Sequence, residues 1–165
     1  MPSPILVAYA TRYGSTAEVA EFIASTLEGR GLSARCQPAR EVKSLQGIQA
    51  VVLGAPLMMV HWHKDALRFL DRFRKVLPAL PAAAFALGPT TEPRSEKEWT
   101  DARAILDKEL ATRAWFAPTS VALFGGRWDP GKIGFPFKAF ASQMPASDLR
   151  DWDAVRAWAQ ALFLD

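Results

Sequence analysis

The chain has 165 residues, half of them hydrophobic, a formal net charge of +3, two histidines and one cysteine. This length and apolar content fit one domain, 1–165, with a sizeable core. They exclude a spanning helix, since no apolar run reaches the roughly 18–20 residues required, and a disulfide scaffold, since Cys36 has no partner. Without a long Lys/Arg run, the mild basicity does not indicate a nucleic-acid binder.

Met-Pro-Ser-Pro has no basic leader pattern and runs into a strand over 4–10, so no signal peptide is expected and the cytoplasm is the expected compartment. That strand stops at Thr11, Arg12, Tyr13, Gly14, Ser15 and Thr16. A helix over 15–29 begins at once, with Val19, Phe22, Ile23 and Leu27 on one face. Strand, tight loop and helix N-terminus make an anion socket, because the first helical N–H groups lack internal partners and the helix dipole adds positive potential. Gly14 permits close backbone approach, and the hydroxyls add donors. The loop is neither a Walker A motif nor a three-glycine dinucleotide fingerprint. A plain capped turn without ligand is the bland alternative. Thr-x-x-Gly-x-Thr after a first strand resembles the phosphate loop of the flavodoxin superfamily, which holds the phosphate of FMN.

Gly29 and Gly31 end the helix. Residues 32–37 form a second strand, in which Cys36 reads as a buried, inert thiol. Residues 49–55 form an apolar strand buried on both faces. A helix over 62–77 turns Trp62, Ala66, Phe69, Leu70, Phe73 and Leu77 inward, and Pro78 and Pro81 stop it. A fourth strand covers 82–87. Ser95-Glu96-Lys97-Glu98 is a capping box for a helix over 96–114. A fifth strand covers 119–124. Asp151 caps a last helix with Trp152, Val155, Ala159 and Leu162 inward.

This alternation predicts an α/β fold: a flavodoxin-like three-layer sandwich, with a five-stranded parallel sheet of order 2-1-3-4-5 and helices on both faces. Ligands of such sheets bind outside the C-terminal strand ends. Three further loops share that rim: Leu57, Met58, Met59, Val60, His61 and Trp62; Gly88, Pro89, Thr90 and Thr91; and Gly125, Gly126 and Arg127. Leu57, Met58, Met59 and Trp62 offer flat or apolar faces, and the glycine loops offer backbone groups for the polar edge of a flavin ring. Loop packing for the methionines, core packing for Trp62 and a simple turn at Gly125-Gly126 are the alternatives. His61 and His63 lack the further ligands a zinc site needs. One of them caps the following helix or lies at the ring edge. His61 is the one weak candidate for a proton relay, as the residue there with an ordinary pKa near 7.

The chain resembles the flavodoxin-domain proteins related to menaquinone-dependent protoporphyrinogen dehydrogenases. The carrying segments are 10–16, Gly54-Ala55 with His61-Trp62-His63, Gly125-Gly126-Arg127-Trp128, and Asp148-Leu149-Arg150-Asp151-Trp152. The resemblance implies non-covalent FMN, with its phosphate on residues 11–16 and its ring framed by 57–62 and 88–91. It also implies an oxidoreductase passing electrons from a porphyrinogen-type substrate to a quinone-like acceptor. Arg12 is a residue that carrier flavodoxins usually lack. The segment 127–145 is shorter than in the haem-pathway enzymes, so at most weak membrane association is expected. Its Phe135, Phe137 and Phe140 flank the flavin, touch a membrane or, most simply, cover the sheet edge. Arg127, Lys132 and Lys138 are expected to form an approach surface for an acidic partner or porphyrin carboxylates. Val60 stands where the family tends to place a glycine. A one-electron carrier flavodoxin, which the basic charge opposes, and a flavin-free interaction domain are the other readings.

Overall fold

The computed structural model describes residues 2–164. Strand β1 (Ile5–Tyr9) leads to helix α1 (Ser15–Gly29), then β2 (Ala34–Pro38) and β3 (Ala50–Met58). A short β4 (His61–Trp62) precedes α2 (Lys64–Arg72), β5 (Ala82–Leu87), α3 (Glu96–Ala111) and β6 (Ser120–Phe124). Beyond them come β7 (Arg127–Trp128), the short α4 (Lys138–Ala141), β8 (Ser147–Asp148) and α5 (Trp152–Ala161).

The sheet order is β2-β1-β3-β5-β6, all parallel, which is the expected 2-1-3-4-5 arrangement. Because side chains alternate along a strand, Leu6, Val51 and Ala84 face α2 and α3, where Phe69, Leu70 and Leu106 close one core layer. Ile5, Val7, Val52 and Phe85 face the opposite layer, built with Val19 and Ile23 of α1 and Val155 and Ala159 of α5. Every residue of β5, AAAFAL, is buried, as a central strand covered on both faces requires. Cys36 on β2 is half-buried, and burial, assisted by Glu21, pushes its thiol up to about 11. It is therefore protonated and inert at neutral pH.

Two expected caps are present. Ser95 Oγ accepts from the Glu98 N–H at 3.3 Å. Asp151 Oδ1 accepts from the Ala154 N–H at 3.0 Å.

The helix expected over 62–77 is shorter, because β3 runs on to Met58 and turns back. Leu57 pairs with Trp62 and Met58 with His61 in an antiparallel hairpin. The Trp62 indole donates to the Ala55 carbonyl at 3.0 Å, holding the residue in the hairpin. Helix α2 starts only after His63, whose Nδ1 accepts from the Asp65 N–H at 3.0 Å. Burial pushes the His63 pKa down, which favours the neutral ring this acceptor role needs. At the other end the chain tightens, with Val76 N–H donating to the Phe73 carbonyl before Pro78.

The segment after β6 also departs from expectation. Strands β7 and β8 pair antiparallel, Arg127 with Asp148 and Trp128 with Ser147, and enclose an excursion over 129–146. Its Phe135, Phe137 and Phe140 remain largely exposed, at 96%, 65% and 71%.

Candidate cofactor-binding site

The C-terminal ends of the central strands open on a cleft of about 450 Å³. At one end lies the loop between β1 and α1, represented by Arg12, Tyr13 and Ser15. Gly14 precedes the helix at φ +94°, a conformation that suits glycine. Its N–H donates to Thr11 Oγ1 at 2.9 Å, so Thr11 shapes the loop. No side chain caps α1. The Glu18 N–H reaches the Gly14 carbonyl at 3.2 Å, so the N–H groups of Ser15, Thr16 and Ala17 lie before the first intrahelical bond. Thr16 is fully buried, yet its hydroxyl has no partner among the described residues. Buried hydroxyls are nearly always paired. An orphaned hydroxyl beside open helix N–H groups fits a phosphate.

The walls are apolar. One is the hairpin, with Pro56, Leu57, Met58 and Met59. Leu87, Gly88 and Thr90 after β5 line it too, with Gly126, Arg127 and Trp128. Ile133, Phe137, Phe140 and Ala141 of the excursion complete the lining. The Trp128 indole N–H is also buried without a partner among the described residues.

Several expected residues lie elsewhere. Val60 sits in the exposed hairpin turn, where Met59 rather than Val60 takes a positive φ, of 59°. Trp62 is core and offers no face to the cleft. His61 is exposed, with Nδ1 3.3 Å from Glu109 Oε1. It lines a neighbouring groove with His63 and Lys64, which shares Arg12 and Met58 with this cleft, and is not itself among the cleft's lining residues. The described lining holds neither histidine nor carboxylate. Thr91 is exposed, Pro89 is buried beside a neighbouring groove, and Gly125 borders a third one.

Part of the backbone of the glycine loops is already paired within the protein. Gly88 N–H donates to the Phe124 carbonyl at 2.8 Å, and Gly126 N–H to the Pro89 carbonyl at 2.9 Å. Leu149 N–H uses the Gly126 carbonyl at 2.9 Å, and the Ser147 hydroxyl uses the Thr90 carbonyl. These glycines let neighbouring backbone come close: a Cβ at Gly125 would lie 2.2 Å from the Leu149 carbonyl oxygen.

The basic approach surface is likewise dispersed. Arg127 lies 3.7 Å from Glu18 and 3.5 Å from Asp129. Lys132 donates to the Tyr13 carbonyl at 3.1 Å. Lys138 alone of the three stays exposed without such a tie among the described residues.

Arg150 has a structural role its sequence position did not reveal. Its side chain is 4% exposed and donates to Asp148 at 2.9 and 2.8 Å, to Glu18 at 3.1 Å and to the Ser15 carbonyl at 3.2 Å. It therefore pins the first turn of α1 to β8. The Arg150 bonds hold the Asp148 carboxyl below its ordinary range. A depressed folded-state pKa stabilises above the ordinary carboxylate range, and that contribution is lost as pH falls through the folded value. Asp148→Asn should therefore lower the melting temperature fully at pH 6. The gap to the parent should close from about pH 4 downwards; melting curves from pH 6 to 2 check this.

The family model described as Flavodoxin domain matches residues 6–141. The chain belongs to that family. The protoporphyrinogen IX dehydrogenase (quinone) of Escherichia coli strain K12 is 25% identical over 123 residues, 73% of this chain and 67% of its own. Among solved structures, a short-chain flavodoxin associated with a bacterial microcompartment superposes with a TM-score of 0.63 at 13% identity, covering 98% of this chain and 97% of its own. A flavodoxin from Pseudomonas aeruginosa gives 0.58 at 18% identity, covering 96% and 98%. These two likenesses show the shared fold. Among the described residues, no helix is long and apolar enough to cross a membrane.

Proposed function

We propose that the cleft binds FMN non-covalently and that the protein is a cytoplasmic oxidoreductase of the protoporphyrinogen dehydrogenase kind, with a quinone-like acceptor. The observation that carries the flavin reading is the uncapped α1 N-terminus, whose Ser15 lines an apolar cleft and whose next residue, Thr16, has a buried, unpaired hydroxyl. The open N–H groups and that hydroxyl would take the phosphate. Leu57 and Met58 on one side and Ile133, Phe137 and Phe140 on the other would sandwich the ring and exclude water. Bound there, the flavin would supply the electron transfer, and the chain its position and surroundings.

The likeness to the Escherichia coli enzyme supports the two-electron reaction class. The purified protein is expected to be yellow and to release a chromophore that co-migrates with FMN. FAD, or no flavin after FMN titration, would overturn the reading of the cleft. In stopped-flow experiments a soluble quinone analogue should reoxidise the reduced protein rapidly. Inertness to quinones combined with fast single-electron transfer to a haem protein would make it a carrier.

A further inference from the structure

We propose that Lys132 is a phosphate-binding residue, carried to the loop between β1 and α1 by the excursion between β7 and β8; this rests on the flavin reading above. The ammonium of Lys132 donates to the Tyr13 carbonyl at 3.1 Å. It would lie 3.8 Å from a Cβ built on Gly14, the residue that opens α1. A lysine ammonium has three N–H donors. The Tyr13 bond uses one and leaves two beside the open helix N-terminus.

The surrounding charges give this cation a purpose. Glu18, Asp129 and Asp148 cluster against the first turn of α1, and Arg127 and Arg150 are committed to them. Two arginines against three carboxylates leave that cluster at a net charge of −1. A dianionic phosphate on the helix N-terminus would face a repulsive background from it. Lys132 has no carboxylate within ion-pair distance among the described residues, and its charge offsets that excess. Arg12 stacks over the Tyr13 ring at 5.2 Å on the same loop. The loop thus carries cations at Arg12 and at the Lys132 contact, and the orphaned Thr16 hydroxyl in the first turn of α1 is a second and independent sign of a missing anionic partner.

A purely structural role for Lys132, tying the excursion to the loop, makes a different prediction. Such a tie would affect every flavin equally, whereas a phosphate contact discriminates FMN from riboflavin, which lacks the phosphate. Lys132→Gln keeps a donor for the Tyr13 carbonyl and removes the charge. Fluorescence titration of the apoprotein should show FMN binding weakened roughly 5- to 30-fold in K132Q, a range set by hydrogen bonds to charged groups and discounted for exposure. Riboflavin binding should be unchanged, and Lys132→Arg should retain most FMN affinity. The salt dependence of FMN binding should also flatten in K132Q, which decides the matter if riboflavin binds too weakly to read. An equal loss for both flavins, or no loss for either, overturns the inference. A parent protein that binds neither flavin overturns the reading of the cleft itself.

Discussion

Replacing Gly54 with alanine is expected to cost about 3 kcal/mol, the upper end for overpacking a dense core, and to lower the melting temperature by roughly 6–12 °C for a domain of this size. Gly54 lies in β3 opposite Phe85 of β5. A Cβ at Gly54 would lie 1.9 Å from Phe85 Cζ and 2.0 Å from Cε1. The ring of Phe85 thus lies over the glycine as a cross-strand pair. It cannot swing aside easily, because it is fully buried and packs edge-on against Trp158 at 6.0 Å and tilted against Phe124 at 6.1 Å. Nor can the strand shift freely, since the Gly54 carbonyl accepts from the Ala10 N–H at 2.9 Å, at the start of the candidate phosphate loop. Thermal melts of G54A and of G54A in a Phe85→Leu background separate the causes. If the clash is the cause, the smaller side chain recovers part of the loss. A G54A protein that melts with the parent would refute the account.

The parallel sheet was legible because each central strand carries an unbroken apolar run and each helix an apolar stripe. Ile5 to Ala8 and Val51 to Leu53 have little freedom to be anything other than buried strands. The caps at Ser95 and Asp151 were legible for a related reason: a side chain that bonds three residues ahead leaves a local signature. The hairpin after β3 was not. Trp62, Ala66, Phe69 and Leu70 satisfy helical spacing, so periodicity alone extends the helix back over Trp62. The indole bond to the Ala55 carbonyl, which periodicity does not encode, fixes the hairpin instead. The turn residues Met59 and Val60 also lack the glycine or asparagine that normally announces a positive φ.

The site divides along the same line. The loop over 11–16 was readable because strand, glycine, hydroxyls and helix follow one another in the chain. The glycines at 88, 125 and 126 read from sequence as suppliers of backbone groups or as a simple turn, because sequence does not say what packs on them. The Leu149 and Gly88 backbone lies closest at Gly125 and Gly126, and the Leu123 side chain at Gly88. Lys132 meets the Tyr13 carbonyl across 119 positions, and Arg150 meets Ser15 across 135. Partners that distant are set by topology, so Lys132 read only as part of a basic surface, and Arg150 only as part of a segment resembling the family, until the fold joined them to the loop.

Thr16→Val is expected to move stability and flavin affinity in opposite directions. Thr16 is fully buried and its hydroxyl is unpaired among the described residues. Valine keeps nearly the same shape and removes the polar atom. In the apoprotein this should relieve about 1–3 kcal/mol of unsatisfied burial, raising the melting temperature by roughly 2–12 °C. The same hydroxyl is read as a donor to the phosphate, and a hydrogen bond to a charged group contributes about 1.5–3 kcal/mol. FMN should therefore bind roughly 10- to 150-fold more weakly. Opposite signs are the useful property of this variant, since a simple packing defect lowers both quantities and a residue remote from the ligand leaves affinity alone. A polar group kept unsatisfied in the free protein is the kind of local cost that binding sites carry when the missing partner is the ligand. Melting curves of apo T16V and fluorescence titration with FMN are the two measurements. A less stable apoprotein, or unchanged FMN affinity, would show that the Thr16 hydroxyl faces something other than the phosphate.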